Sequence, residues 1–288
     1  MKTITDIYIL RCITNLHAGS GDSNYGIVDK EVQRDPVDTF PIVHSTSLKG
    51  AFREQFDSLV EDKLLSQEDV ESIFGTDNKA KNGTPEQFKA GQYFFYPAQL
   101  LFYPVRSNIR PFFYATSQGL IRKFMTALED MGINTYENLE TIFNPLLHLT
   151  TIPNKPLTFI KVFIDEYEST QAAISGELAS GFFPEMITTD NLALFHDDDL
   201  KETCQRLPVV ARNYLENGIS ANLWYEEFVP RESWFYFFVS RPKTSNLFEQ
   251  GLKQVKHTSQ IGGNASVGYG LCKLQRVKTT AGGSNEKS

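Results

Sequence analysis

The chain of 288 residues is short of several things, and each shortage narrows what it can be. It has only three cysteines, Cys12, Cys204 and Cys272, far apart and without a CxxC pair. That argues against a disulfide framework or a structural zinc site and fits a reducing compartment. No apolar run is long enough to span a bilayer. The stretch 1–13 is broken by Lys2, Asp6 and Arg11, which argues against a secretory leader. The expectation is a cytoplasmic protein with no membrane partner. Positive charge is also in deficit, with 28 Lys and Arg against 35 Asp and Glu, a net charge of -7. A free-standing nucleic-acid binder carries a basic footprint, so the total leans against one. The charges are segregated, however. Acids gather in "EDKLLSQEDVE" and "FHDDDLKE", bases in "KEVQR" and "SLKGAFR", so a basic groove on an acidic body stays open. The five histidines show no metal-like spacing, and no Ser/His/Asp order stands out.

What is present is a globular composition, 41% hydrophobic and 22% charged, enough for a sizeable core. "DIYILRCIT" is a β-rich apolar run, expected as a central strand. "STSLKGAFREQFDSL" reads as a helix with Leu48, Ala51, Phe52 and Phe56 on one face and Ser45, Thr46 or Ser47 as N-cap. "SQEDVESIFG" reads as a short helix with a Ser66/Asp69 capping box and Gly75 as stop. "QYFFYPAQLLFYPV" and "IRPFFYATS" are aromatic strands, the first broken by Pro97 and Pro104. "SQGLIRKFMTALEDMG" is an amphipathic helix, "FIKVFIDEY" a strand, and the stretch 169–200 irregular. "VVARNYLENGISANLWYEEFVP" holds Asn217-Gly218 between strand-like runs, a strong hairpin signal. "SWFYFFVSR", "SNLFEQGLKQVKH" and "LCKLQRV" follow as strand, helix and strand, with a disordered tail over 279–288. The order suggests an α+β chain with a ferredoxin-like core and large insertions, forming one domain over 1–278.

Six places could carry chemistry, and each has a plainer reading. "HAGSGDSNYG" follows a strand, and glycines there let backbone N–H groups approach a phosphate. It lacks the Lys-Ser/Thr of a nucleotide P-loop and the third glycine of a dinucleotide fingerprint, and a plain turn is the alternative. Asp29, beside Lys30 and Glu31, could bind a divalent cation or act as a base, or be a surface aspartate paired with lysine. His17 could be an acid or base near neutral pH, or simply hydrogen-bond the loop. Lys49, at the start of a helix with Arg53 one turn on, could favour an anion at that helix terminus, or sit on a solvated face. The glycines of "IGGNASVGYG" suit close approach to a backbone or ligand, or a flexible connection. The aromatics 94–96 and 112–114 could stack on bases, but apolar strands more commonly bury such rings.

Taken in order, "LHAGSGDSNYGIVDKEVQRDP", "PIVHSTSLKGAFRE", "IFG", "AGQYFFYPAQLLFYPVRS", "LWYEEFVP" and "QIGGNASVGYG" resemble the RAMP superfamily of CRISPR proteins. Within it they resemble the backbone subunits of type III-B (Cmr) effector complexes, across nearly the whole chain. The resemblance implies a modified ferredoxin-like (RRM-like) palm with insertions and a projecting β-hairpin thumb around 207–231. It implies copies stacked in a filament on a CRISPR RNA, with other Cmr subunits, cleaving paired target RNA at regular intervals.

The family's catalytic aspartate lies in a "GxVDxxxQR" loop, which places it on Asp29, together with a magnesium or manganese ion that Asp29 would hold. His17 is implied as a second catalytic-site residue. Lys49, Arg53, Arg34, Ser47, Gly19, Gly21, Gly262, Gly263 and Asn264 would hold RNA. Asn217 and Gly218 would form the thumb tip, and Glu226 and Glu227 its base. Two other readings stand beside this one. One is a scaffold that binds RNA without cutting. The other is a related RAMP endonuclease that processes precursor CRISPR RNA by histidine-centred chemistry.

Overall fold

The computed structural model describes residues 2–23, 26–76, 89–133, 143–172 and 187–277. The expected tail over 279–288 and most of the polar loop after Gly75 lie outside the described residues. The chain is a mixed α+β protein that divides into two compact units, Met1–Leu100 with Arg206–Arg276, and Leu101–Gln205 with Val277–Ser288. Among the described residues, no helix is long and apolar enough to cross a membrane.

The first unit is built around β1 (Thr3–Cys12), whose central residues Ile7, Tyr8, Ile9 and Leu10 are fully buried. β1 pairs antiparallel with Trp234–Pro242 on one side and Leu271–Arg276 on the other. Both faces of this strand are covered, which is why its apolar residues run without alternation. Phe94–Phe95 and Thr258–Gln260 extend the sheet at either side. Asp6 accepts from Arg241 and, at 2.6 Å, from Arg276, so one carboxylate on β1 ties together the two strands that flank it.

Helix α1 (Ser45–Glu61) lays Leu48, Phe52, Phe56 and Leu59 inward. Phe52 packs against Phe95, Phe237 and Phe248 with ring centroids 5.1 to 5.9 Å apart. Phe56 stacks on Phe248 and meets Phe74 of α2 (Gln67–Phe74) edge-on. The Ser66/Asp69 capping box and the Gly75 stop stand as expected. The start of α1 does not. Its N-cap is His44, without a side-chain cap bond, rather than one of the serines. Gln33 intervenes: its Oε1 accepts from the His44 N–H at 2.6 Å and its amide donates to Ser47 Oγ at 2.8 Å.

Cys12 and Cys272 lie directly opposite each other on neighbouring strands as buried free thiols. The hydrogen bond to Cys272, followed by burial, pushes the Cys12 thiol well up, so it packs as a small apolar side chain.

A second sheet of this unit carries the site. β2 (Gly19–Ser23) pairs with β3 (Lys30–Val32), which pairs with Ile219–Glu227, which pairs with Val209–Glu216. The expected glycine loop after β1 is thus partly an edge strand. The hairpin turns at Asn217 (φ 55°) and Gly218 (φ 81°), the two left-handed positions that a two-residue turn needs. Along this hairpin Tyr214, Leu215, Ile219 and Leu223 are more than half exposed.

In the second unit, Phe113–Ser117 pairs antiparallel with Tyr103–Val105 and parallel with Leu192–Phe195. The buried strand Leu192–Phe195 falls inside the stretch expected to be irregular. Pro104 sits within the strand Ala98–Val105 instead of ending it. "FIKVFIDEY" forms no continuous strand, only the two-residue pair Phe163–Ile164 and Tyr167–Glu168, because the left-handed Asp165 (φ 52°) turns the chain back. Helix α3 (Gln118–Asp130) buries Leu120, Ile121, Phe124 and Leu128 as its periodicity requires, with Ala127 and Met131 half-buried.

Phe52 is fully buried among three rings, so Phe52→Ala removes a large side chain from a packed core. Chemical denaturation should show a loss of about 3–5 kcal/mol.

Candidate functional site at the hairpin root

Three consecutive residues at the end of the hairpin, Tyr225, Glu226 and Glu227, meet four sequence-predicted site residues, Asp29, His17, Arg34 and Asn264. Asp29 is held by a reciprocal pair of bonds. Its N–H donates to the Tyr225 carbonyl at 3.0 Å, and its Oδ2 accepts from the Tyr225 N–H at 2.7 Å. Asp29 is exposed, and its Oδ1 has no hydrogen-bond partner among the described residues. It makes no ion pair with Lys30, which instead lies over the Trp224 ring at 5.0 Å. The carboxylate is therefore oriented by backbone and has one oxygen left for chemistry.

Glu226 is 1% exposed and receives donors from three segments. Asn264 Nδ2 donates to its Oε1 at 2.6 Å, Arg212 Nε donates to its Oε2, and His17 Nε2 lies 3.2 Å from Oε1. Burial alone would raise its carboxyl. The Asn264 bond, the His17 charge and Arg212 outweigh that and hold it below the usual range. Arg212 also stacks on the Tyr269 ring at 4.8 Å, while its Nη2 is buried without a partner. Glu227 accepts from Arg34 Nη2 at 2.7 Å and from the Val32 N–H at 3.1 Å, and its carbonyl meets His17 Nδ1 at 2.7 Å.

The glycine-rich loop closes on the same point. The Gly263 N–H donates to the His17 carbonyl at 2.8 Å. Gly262 has φ 79°, and a Cβ there would lie 2.4 Å from that carbonyl oxygen. Gly262 and Gly263 keep exposed faces, and Asn264 takes the left-handed conformation that turns its amide to Glu226. Gly19 passes less closely: a Cβ would be 3.1 Å from His17 Nε2. Gln33, 7% exposed, links the Gly19 carbonyl to Ser47 Oγ and so fixes β2 against the start of α1.

The structure thus gathers Asp29, His17, Gly19, Gly262, Gly263, Asn264, Glu226 and Glu227 around one strand end, with Arg34 on Glu227 and Ser47 on Gln33. Gly21 lies on the edge strand β2 with φ 88°. Lys49 is half-buried on α1 without a partner among the described residues, and Arg53 is 3.8 Å from Asp57. Asn217 and Gly218 stand at the far tip of the hairpin. Sequence reasoning missed Arg212, Gln33 and Tyr225. Gln33 was visible in the "VQR" of its motif. Arg212 left no local signal, because only the hairpin register opposes it to Trp224 beside Glu226. Tyr225 acts through its backbone, which no residue type announces.

A family profile described as the RAMP superfamily matches residues 9–273. The CRISPR system Cmr endoribonuclease Cmr4 of Pyrococcus furiosus is 30% identical, over 95% of this chain and 96% of its own length. In fold, the chain is similar to a subunit of the type III-B Cmr-beta complex solved bound to cognate target RNA. The TM-score is 0.78 at 22% identity, over 95% of this chain and 97% of that one. Oligomeric Cmr4 from Pyrococcus furiosus matches at TM-score 0.65 and 22% identity, over 95% and 99%.

Two outcomes follow from this geometry. Gly262→Ala puts a methyl group against the His17 carbonyl at a left-handed position, so it should lower the melting temperature by several degrees in a thermal melt. Because the Glu226 carboxyl sits lower in the folded protein than in the unfolded chain, its contribution is complete above the unfolded value and is lost as pH falls through the folded one. Melts between neutral and acid pH should show a shallower acid decline for Glu226→Gln than for wild type.

Proposed function

The chain belongs to the RAMP superfamily, and from that premise we propose that it is a CRISPR-RNA-binding backbone subunit of a type III-B (Cmr) effector complex that cleaves target RNA at Asp29. The observation that carries the reading is the Asp29 carboxylate, exposed, oriented by both backbone groups of Tyr225, with Oδ1 unengaged among the described residues. Its family motif, its fixed orientation and its open oxygen coincide at one residue. The relative from Pyrococcus furiosus is named for endoribonuclease activity, which agrees.

We read the β1 sheet with its helices as an RRM-like palm and the hairpin Val209–Glu227 as the thumb. RNA carries its own nucleophile, the 2′-hydroxyl, but a stacked A-form duplex does not align it with the adjacent phosphorus. A hairpin with Tyr214, Leu215, Ile219 and Leu223 exposed can displace a base pair and let the sugar–phosphate rotate into line. Attack of the 2′-oxygen on phosphorus closes a 2′,3′-cyclic phosphate and breaks the bond to the 5′-oxygen, which leaves as a hydroxyl after taking a proton from water; Asp29 Oδ1 accepts the 2′-hydroxyl proton, or would hold a metal ion. Magnesium binds through one or two carboxylates and keeps several waters, so a single free carboxylate oxygen fits it or manganese. When bound, such an ion would supply charge neutralisation and a base of suitable strength.

The guide strand is held without regard to sequence, as a programmable system requires. Lys49 and the exposed backbone of Gly262 and Gly263 provide that kind of contact, with Arg53, Arg34, Ser47, Gly19, Gly21 and Asn264 shaping the surface. The net charge of -7 is compatible with many weak contacts in series along a filament of copies, with other Cmr subunits completing the complex. Histidine-centred processing of precursor RNA is disfavoured by His17, which is 6% exposed, with Nδ1 2.7 Å from the Glu227 carbonyl oxygen and Nε2 3.2 Å from Glu226 Oε1.

Asp29→Ala should assemble with guide RNA as wild type does and lose at least about 100-fold in cleavage, and EDTA should abolish wild-type cuts. Evenly spaced products that persist in Asp29→Ala would leave the chain a non-cutting scaffold.

A further inference from the structure

The residue whose backbone orients Asp29 also carries a free ring. Tyr225 is 41% exposed, and its side chain has no hydrogen bond, ring contact or cation contact among the described residues. The other aromatic rings at the hairpin root are engaged. Lys30 lies over Trp224 at 5.0 Å, Arg212 lies over Tyr269 at 4.8 Å, and Phe228 meets Tyr269 edge-on at 5.7 Å. Phe113 and Tyr114, which the sequence offered for base stacking, are buried in the second unit. Resting on the RNA-cleaving reading above, we propose that the Tyr225 ring is the stacking platform for the target-RNA base displaced at each cut, the base of the nucleotide whose 2′-hydroxyl attacks.

The hairpin leaves this ring open for a physical reason. Trp224 and Tyr225 are consecutive on one strand, so their side chains leave opposite faces of it. On the Tyr225 face the residue directly across is Ala211, whose methyl group is too small to cover a phenol. Leu223, two residues nearer the tip, is 54% exposed. The ring is also in the right place. Asp29 exchanges two hydrogen bonds with the Tyr225 backbone, at 3.0 and 2.7 Å. The two segments therefore run one strand spacing, about 5 Å, apart. A base reaches about as far from its own sugar, so a nucleotide with its sugar at Asp29 Oδ1 can lay its base on Tyr225. A base taken out of a duplex loses both of its stacked neighbours, and an aromatic side chain replaces one of them. Every base has a π-face, so the contact does not read sequence, as guide-programmed cutting requires. One residue then fixes both reactants: its main chain sets the carboxylate, and its ring sets the sugar.

The test uses the reconstituted complex with guide RNA. The target carries a 2-aminopurine deoxynucleotide, a fluorescent base on a sugar without the attacking hydroxyl, placed in turn at each position of one cut interval. With wild type the probe should stay quenched at the nucleotide just 5′ of the cut. Tyr225→Leu should brighten it several-fold there and nowhere else, and Tyr225→Phe, which keeps the ring, should restore the quenching. Equal fluorescence in wild type and Tyr225→Leu at every position would overturn the proposal, whether bright, because the displaced base meets no ring, or dim, because it stacks elsewhere. In single-turnover cleavage of an all-RNA target at saturation, Tyr225→Leu should lower the rate about tenfold, the scale of one lost base–aromatic contact, and Tyr225→Phe should recover it. A loss in Tyr225→Phe as large as in Tyr225→Leu would also overturn the proposal, since the hydroxyl and not the ring face would then carry the effect. Thermal melts of both variants should match wild type, because the side chain is exposed and the bonds to Asp29 come from the main chain. If wild type binds target without cutting it, the Asp29 reading falls, while the fluorescence arm still decides this one.

Discussion

The root of the hairpin, Tyr225 to Glu227, is the constraint on which the site depends. Three successive residues serve three different segments. Tyr225 offers its backbone N–H and carbonyl to Asp29. Glu226 gathers His17, Arg212 and Asn264. Glu227 gathers Arg34, the Val32 N–H and, through its carbonyl, His17. Adjacent residues of a strand face opposite ways, so one extended segment can address both sides of the sheet and its edge at once. Buried carboxylates are tolerated there because each meets cations and hydrogen-bond donors.

This arrangement couples the projecting part of the molecule to its chemistry. The hairpin exposes apolar side chains toward its tip, yet its base carries the buried carboxylates Glu226 and Glu227. The exposed tip and the base that orients Asp29 belong to the same hairpin. The left-handed Asn217-Gly218 turn sets their register, and the register in turn places Arg212 next to Glu226. The sheet around β1 plays the supporting part. Its aromatic core and the Asp6 ion cluster keep β1 rigid, so the chain leaving it at Leu16 and His17 arrives at the hairpin root in a defined place.

Much of this was legible in the residues. The hairpin, the amphipathic helices, the Ser66 capping box and the central strand each follow from a local pattern of period, cap or turn. Asp29 stood out through its motif. The misreadings have a common cause. "FIKVFIDEY" has strand composition, but Asp165 turns it. Leu192–Phe195 is too short to announce itself until Phe113–Ser117 and Leu157–Thr158 pair with it on both sides. The serines before Leu48 look like caps, but a glutamine on another segment reaches the helix start first.

By itself, then, the sequence determined the periodic elements, the turn that closes the hairpin and the family motif that singles out Asp29, since each depends on neighbours within a few positions. Only the tertiary structure decided that His17 is enclosed rather than available, that Arg212 neutralises Glu226, and that a tyrosine backbone orients the aspartate. The His17 and Asp29 contacts join residues about 200 positions apart through main-chain donors and acceptors, which are the same in every residue and leave no trace in the order of side chains, and the Arg212 contact exists only once the hairpin has closed.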